Sequence, residues 1–262
     1  MGVCFMEGSA VYANFKAFAG IVLAAVLLAS CRTTTKEEAP VVEEKVETAE
    51  LVSTPYTIKR IHENLPYLNT DIVYPFFEKD TVLNDAINTK IIEPYNEFRY
   101  DAKLEWQDMD EFRQLEFGSE GITPPFEYTG SFEYALSNDI CSVVFAVYNF
   151  SGGAHGNTEM MSINRDMKTG RSVSVTEASG LSVSRIAALC RELLEKKLLS
   201  SGTSQDDIRL NAIRKKDIEA GTAAAEENFD CFKIEDGVLT IYFDPYTVSS
   251  YADGVQKVDI KL

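Results

Sequence analysis

Residues Ile140 to Asn164 constrain the fold more than any other part of the chain. Val143, Phe145 and Val147 alternate with Val144, Ala146 and Tyr148, and both sets are apolar. A strand apolar on both faces needs a cover on both, which makes it a central strand. The run Gly152-Gly153-Ala154-His155-Gly156 then turns the chain, and Asn157 to Asp166 returns as the next strand. Every other element has to be accommodated around this hairpin.

The rest of the pattern supplies the cover. Phe126 to Ser137 alternates through Tyr128, Phe132, Tyr134 and Leu136, and Asn138-Asp139 is a two-residue turn into the central strand. Met167 to Gly170 makes a further turn, after which Arg171 to Val175 reads as a continuing strand. Upstream, Tyr56 to Leu68 and Asp71 to Phe77 are strand-like, with interruptions at Pro66 and Pro75. Val82 to Tyr100 has helical spacing, and Pro94 is expected to kink or split that helix. Leu104 to Phe117 is acidic and amphipathic, with Leu104, Trp106, Met109, Phe112 and Leu115 as its apolar members; Trp106 reads as a core anchor. Gly118 and Pro124-Pro125 end it.

Downstream, Leu181 to Leu199 carries an apolar stripe behind Ser182 or Ser184 as N-cap. Ser204, with Asp206 and Asp207, opens a more polar helix to about Ala220. Asn228 to Ile234, Val238 to Asp244 and Val255 to Leu262 read as closing strands. Strands, then helices, then strands give an α+β fold, an antiparallel β-sheet covered by helices. The expected organisation is a signal segment over 1–30, a tether over 31–54, an N-terminal subdomain over 55–125 and a C-terminal domain over 126–262.

The N-terminus carries the clearest address. Lys16 precedes the apolar run Ala17 to Ser30, which is short of the roughly 20 residues a membrane-spanning helix needs and suits a signal-peptide core. It ends in Leu28-Ala29-Ser30-Cys31, which resembles a bacterial lipobox. The resemblance implies cleavage before Cys31, acylation of its thiol and attachment of the exported chain to a membrane; Met6 offers a second start. Arg32 to Thr54 is polar, Glu-rich and almost free of aromatics, so it reads as a tether. At roughly 5–6 Å × √n such a segment holds the domain a few tens of ångströms from the lipid.

The formal net charge is −16, which disfavours nucleic acid as a partner and favours basic ones. Cys141, Cys190 and Cys231 show no C-x-x-C spacing, and the first two read as small buried hydrophobes.

Three pieces carry a family resemblance: Ser151 to Asn157, then Asp166-Met167-Lys168-Thr169-Gly170-Arg171, then Gly237 to Tyr246 with Tyr251 to Gly254. In order and spacing they resemble the domain of unknown function in the extracytoplasmic half of the anti-sigma factor RsiV. A similar region lies ahead of the catalytic domain in the peptidoglycan deacetylase PdaC. The likeness covers roughly Tyr56 to Leu262. In RsiV the region is a receptor for lysozyme. Neither a sigma-binding segment, a membrane-spanning helix nor the metal-dependent deacetylase domain is expected here, so the resemblance implies the binding module alone.

Only His62 and His155 could serve as histidine ligands or bases, and they are far apart without a clustered acidic set, so no metal or cofactor is expected. Ser151 near His155 lacks the strand–elbow–helix setting of a nucleophile. Tyr246 and Tyr251 flank a loop beside Pro245 and, with His155, are the candidate ligand-binding residues. The expectation is a lipid-anchored, periplasmic or cell-surface binding module without catalysis, for a protein or envelope polymer such as peptidoglycan. An inhibitor or receptor for a lysozyme-like enzyme is the first alternative, and a peptidoglycan-related enzyme or accessory domain the second.

Overall fold

The computed structural model describes residues 55–109, 111 and 125–262. The expected signal segment, Cys31 and the tether lie outside the described residues, as do Phe112 and Leu115 of the expected amphipathic helix.

Five strands form the first sheet in the order β1 (Thr57–Asn64), β2 (Leu68–Phe76), β3 (Phe126–Ser137), β4 (Ile140–Phe150) and β5 (Asn157–Asp166). All pairs are antiparallel except β2–β3, which run parallel. That pairing draws strands from both sides of residue 125 into one sheet, and its crossover contains helical segments. Pro75 lies in β2 beyond the Leu68–Ile72 stretch paired with β3, so its missing N–H interrupts no bond to that strand.

β4 is covered on both faces. Val143, Phe145 and Val147 pack with Leu68, Ile72, Phe126 and Ile163 under the helices α1 (Thr81–Ile87) and α2 (Glu93–Asp108), which contribute Leu83, Ile87, Tyr95 and Ala102. Each fully buried Val, Leu, Ile or Phe among these stabilises the fold by roughly 1.5–3 kcal/mol. On the opposite face Val144 meets Met160, Cys231 and Tyr242. Asp80 caps α1 by accepting from the Leu83 N–H, and its carboxylate also pairs with Arg165 of β5 at 2.6 Å. Between α1 and α2 lies a π-helical turn, Asn88–Ile92. Pro94 explains it: in a regular helix its ring would press on the Lys90 carbonyl, and a widened turn lets Pro94 sit at the start of α2. Trp106 is half-buried beside Tyr67 at a ring-centroid distance of 6.3 Å and covers the edge of the core instead of anchoring its centre.

Where Arg171 to Val175 is predicted as a strand, the structure has only an isolated bridge between Ser172 and Arg165. The helix α3 (Val175–Ser179) begins there instead, because Ser174 and Glu177 form a reciprocal capping box. The helix predicted from Leu181 is α4 (Val183–Leu198), capped by Ser182, and the polar one is α5 (Gln205–Gly221), capped by Ser204 with Asp207. The stretch predicted as strand from Asn228 starts as a 3₁₀ turn, Glu226–Phe229, that buries Phe229. The second sheet then follows as β6 (Phe232–Glu235), β7 (Val238–Phe243) and β8 (Gln256–Lys261), all antiparallel. Ile186, Cys190, Leu194 and Ile218 pack on its inner residues Leu239, Ile241, Phe243, Val258 and Ile260.

The two sheets are joined by a polar seam. The outer edge of β6 would otherwise bury unpaired backbone groups. Ser162 Oγ accepts from the Phe232 N–H, Ser142 Oγ accepts from the Ile234 N–H, and Asn164 Nδ2 donates to the Phe232 carbonyl. Beside this seam Glu133 of β3 accepts hydrogen bonds from Lys233, Lys257 and the Tyr242 hydroxyl, at 2.9, 2.9 and 3.0 Å. Burial opposes its ionisation, yet these donors outweigh burial and hold its pKa at about 2.

Candidate functional site

The β4–β5 turn is built on two consecutive glycines with positive φ, Gly152 at 96° and Gly153 at 98°. They project His155 into solvent next to Gly156, whose backbone is buried. A Cβ at Gly156 would collide with the ring of Tyr148, so only glycine lets this tyrosine lie against the turn.

The second component is the loop after β7. Asp244 anchors its start by accepting from the Met160 N–H of β5 at 2.6 Å. Burial raises the pKa of Asp244, with the Met160 N–H opposing and the Glu159 and Asp230 carboxylates adding to the rise. Val248 and Ser249 are buried under the loop, and the Thr247 carbonyl packs against Gly221 at the end of α5 so closely that no side chain fits there. Ser250 and Asp253 then form a capping box around the 3₁₀ turn Tyr251–Asp253, and Asp253 reaches Arg214 of α5 at 3.5 Å. The loop is thereby held at both ends while Tyr246, with φ of 71°, stands 65% exposed.

These two components bring together all three candidate residues. The Tyr251 ring stacks on His155 at 3.9 Å between centroids and 23° between planes, and Tyr246 lies 5.5 Å from Tyr251. The Tyr251 hydroxyl donates to the Gly156 carbonyl at 2.9 Å, and His155 Nδ1 lies 2.9 Å from the same oxygen. A carbonyl only accepts, so Nδ1 carries the proton. Nε2 lies 3.3 Å from the Tyr246 hydroxyl, which can donate to it in the neutral ring. The result is an aromatic platform in which one shared carbonyl fixes the Tyr251 and His155 rings and His155 in turn meets Tyr246. Among the described residues no carboxylate hydrogen-bonds or pairs with His155, and Ser151 forms no hydrogen bond with it. His62 is exposed on β1, opposite Asp71, and is not brought to the platform. The Cys141, Cys190 and Cys231 thiols are free and buried, and burial raises the pKa of each, to about 11, about 12 and about 12. Among the described residues no group of three or more His, Cys, Asp or Glu could hold a metal ion.

Tyr148 is the functional-site neighbour that sequence reasoning missed. Its place in an alternating apolar run marks it as core, and only the close approach to Gly156 shows its link to the platform. The adjoining Gly-Gly turn was the available signal.

Residues 61–158 match the family model described as Deacetylase PdaC, and residues 181–262 match the one described as Protein of unknown function (DUF3298). The resemblance to a PdaC-type region read from the sequence is thus borne out. The peptidoglycan-N-acetylmuramic acid deacetylase PdaC of Bacillus subtilis (strain 168) is 28% identical over 120 residues, covering 46% of this chain. The match spans only 24% of that relative's length. A DUF3298 protein of Bacteroides fragilis aligns with a TM-score of 0.48 at 16% identity, over 79% of this chain and 90% of that one. One from Pseudomonas aeruginosa PAO1 gives 0.47 at 14%, over 79% and 91%. Among the described residues no helix is long and apolar enough to cross a membrane.

Proposed function

We propose that this chain, in which a PdaC-type region is followed by a DUF3298 region, is an exported, lipid-anchored binding module of the cell envelope. Cys31 carries the lipid, and the platform of His155, Tyr246 and Tyr251 contacts the ligand without catalysing a reaction on it. The observation that supports this most is the convergence of three residues, two of them ninety or more positions from the third, on one exposed aromatic face. Tyrosines at such a face offer a large contact area and a polar tip at small entropic cost. The Bacillus relative, a peptidoglycan deacetylase by name, points to an envelope polymer as one ligand class. The net charge of −16 favours a second reading, a receptor or inhibitor for a basic lysozyme-like enzyme.

The test is co-sedimentation with purified peptidoglycan sacculi, together with titration of a c-type lysozyme at two salt concentrations. Wild type is compared with the variant His155→Ala/Tyr246→Ala/Tyr251→Ala. Binding by wild type and at least tenfold weaker binding by the variant are expected. A triple variant that binds as well as wild type would remove the platform from the account.

A further inference from the structure

The second sheet covers only part of the face of the first. Beyond Ala146 the same face lies open as a groove of about 300 Å³, lined by residues that include Asp71, Thr129, Ser131, Tyr148 and Thr158. That volume is at the small end of ligand sites. The strand register places four of these in one straight row across the sheet: Asp71 opposite Thr129, Thr129 opposite Tyr148, and Tyr148 opposite Thr158. Paired residues share a face, and three inter-strand spacings give the row a length of about 14 Å.

The row is polar throughout. Asp71 is satisfied by a two-pronged pair with Arg60, with both hydrogen bonds at 2.6 Å. The hydroxyls of Thr129, Thr158 and Tyr148 have no hydrogen-bond partner among the described residues, although all three side chains are half-buried. Half-buried polar groups gain from a partner that can both donate and accept. Tyr148 also links the row to the platform, because its ring lies against Gly156, whose carbonyl accepts from Tyr251.

We propose that this row is a glycan subsite, taking a short stretch of a neutral or cationic hexosamine chain that runs across the strands and continues onto the platform. The proposal deepens the binding reading above and rests on it. Sugar hydroxyls and amides both donate and accept, which matches isolated hydroxyls set one strand apart. The C–H face of a sugar ring suits an aromatic side chain in the middle of the row. A peptide added to a sheet would follow an edge strand and use its backbone, whereas these groups lie across four strands and offer only side chains. Asp71 is neutralised, but Glu127 lies near Tyr148, two residues before Thr129 on the same face of β3, within a chain of net charge −16, which disfavours a polyanion.

The probe is tetra-N-acetylchitotetraose, titrated into the full chain and followed by calorimetry and by chemical-shift changes. Saturable binding is expected, weakened about five- to tenfold by Thr158→Val or Thr129→Val, which remove one hydroxyl each without changing shape. Tyr148→Ala should abolish it, while circular dichroism of the valine variants stays that of wild type. No saturable binding, or wild-type affinity in both valine variants, would overturn the subsite. Sacculi or lysozyme binding retained under that outcome would leave the binding-module reading standing, whereas loss of all ligands would overturn both.

Discussion

Replacing Glu133 by Gln tests how the two sheets are held together. Glu133 lies on β3, and its three donors come from all three strands of the other sheet: Lys233 of β6, Tyr242 of β7 and Lys257 of β8. Its pKa of about 2 compares with about 4.3 in an unfolded chain, a gap worth about 3 kcal/mol before screening. The side chain is 36% exposed, and solvent screening leaves about half of this, ~1.5 kcal/mol. Removing the charge also leaves the Lys233 ammonium, only 14% exposed, with Glu235 as its remaining carboxylate. The expected loss at neutral pH is therefore about 2 kcal/mol, or a fall in melting temperature of about 4–8 °C for a domain of this size.

The pH dependence has a fixed sign. A carboxyl group whose pKa is lower in the folded state contributes its full stability above the unfolded value and loses it as pH falls through the folded one. The gap between wild type and Glu133→Gln should thus be complete above about pH 5 and close toward pH 2. Thermal melts monitored by circular dichroism between pH 2 and pH 7 measure it. Equal melting temperatures at pH 7, or a gap that keeps its full size at pH 2, would refute the reasoning.

Ser162→Ala should cost about 2–3 kcal/mol in urea unfolding, because it leaves the Phe232 N–H without its acceptor and also removes a donor to the Asp230 carbonyl. Gly221→Ala pushes a methyl into the Thr247 carbonyl, so a loss of about 1–3 kcal/mol is expected together with weaker ligand binding through the displaced loop. Gly156→Ala forces Tyr148 off the turn; ligand binding should fall at least tenfold, and a variant with wild-type affinity would contradict the shared-carbonyl geometry. In the native protein Cys141, Cys190 and Cys231 should resist a thiol reagent at pH 8 and react only on unfolding, since burial keeps the thiolate scarce.

Local chemistry made much of the fold legible. The doubly apolar alternation of β4 required two covers and has them, in the α1–α2 layer and in Met160, Cys231 and Tyr242. The serines at 182 or 184 and at 204 marked helix starts because a side-chain acceptor there satisfies an otherwise unpaired N–H, and Ser182 proves to be the first cap. The division into two sheets was not legible, because it depends on the buried Ser142, Ser162 and Asn164 side chains bonding an edge strand about seventy to ninety positions away. Nothing in a serine's local sequence announces such a partner. Arg171 to Val175 misled for a related reason: its place after the Met167–Gly170 turn suggested a continuing strand, while the Ser174–Glu177 capping box, a stronger local signal, started a helix. At the candidate site the glycine turn and loop tyrosines could be picked out as residues, but their meeting rests on Asp244 reaching the Met160 N–H and on Gly221 admitting Thr247. The row through Thr129, Tyr148 and Thr158 is invisible until the register is known.

The most direct test of the binding account is hydrogen–deuterium exchange of the purified chain with and without peptidoglycan sacculi, and likewise with and without a c-type lysozyme. With at least one of these ligands, protection should concentrate in the β4–β5 turn around His155 and in the loop carrying Tyr246 and Tyr251. Protection confined to the α4–α5 side, or none with either ligand at saturating concentration, would contradict it.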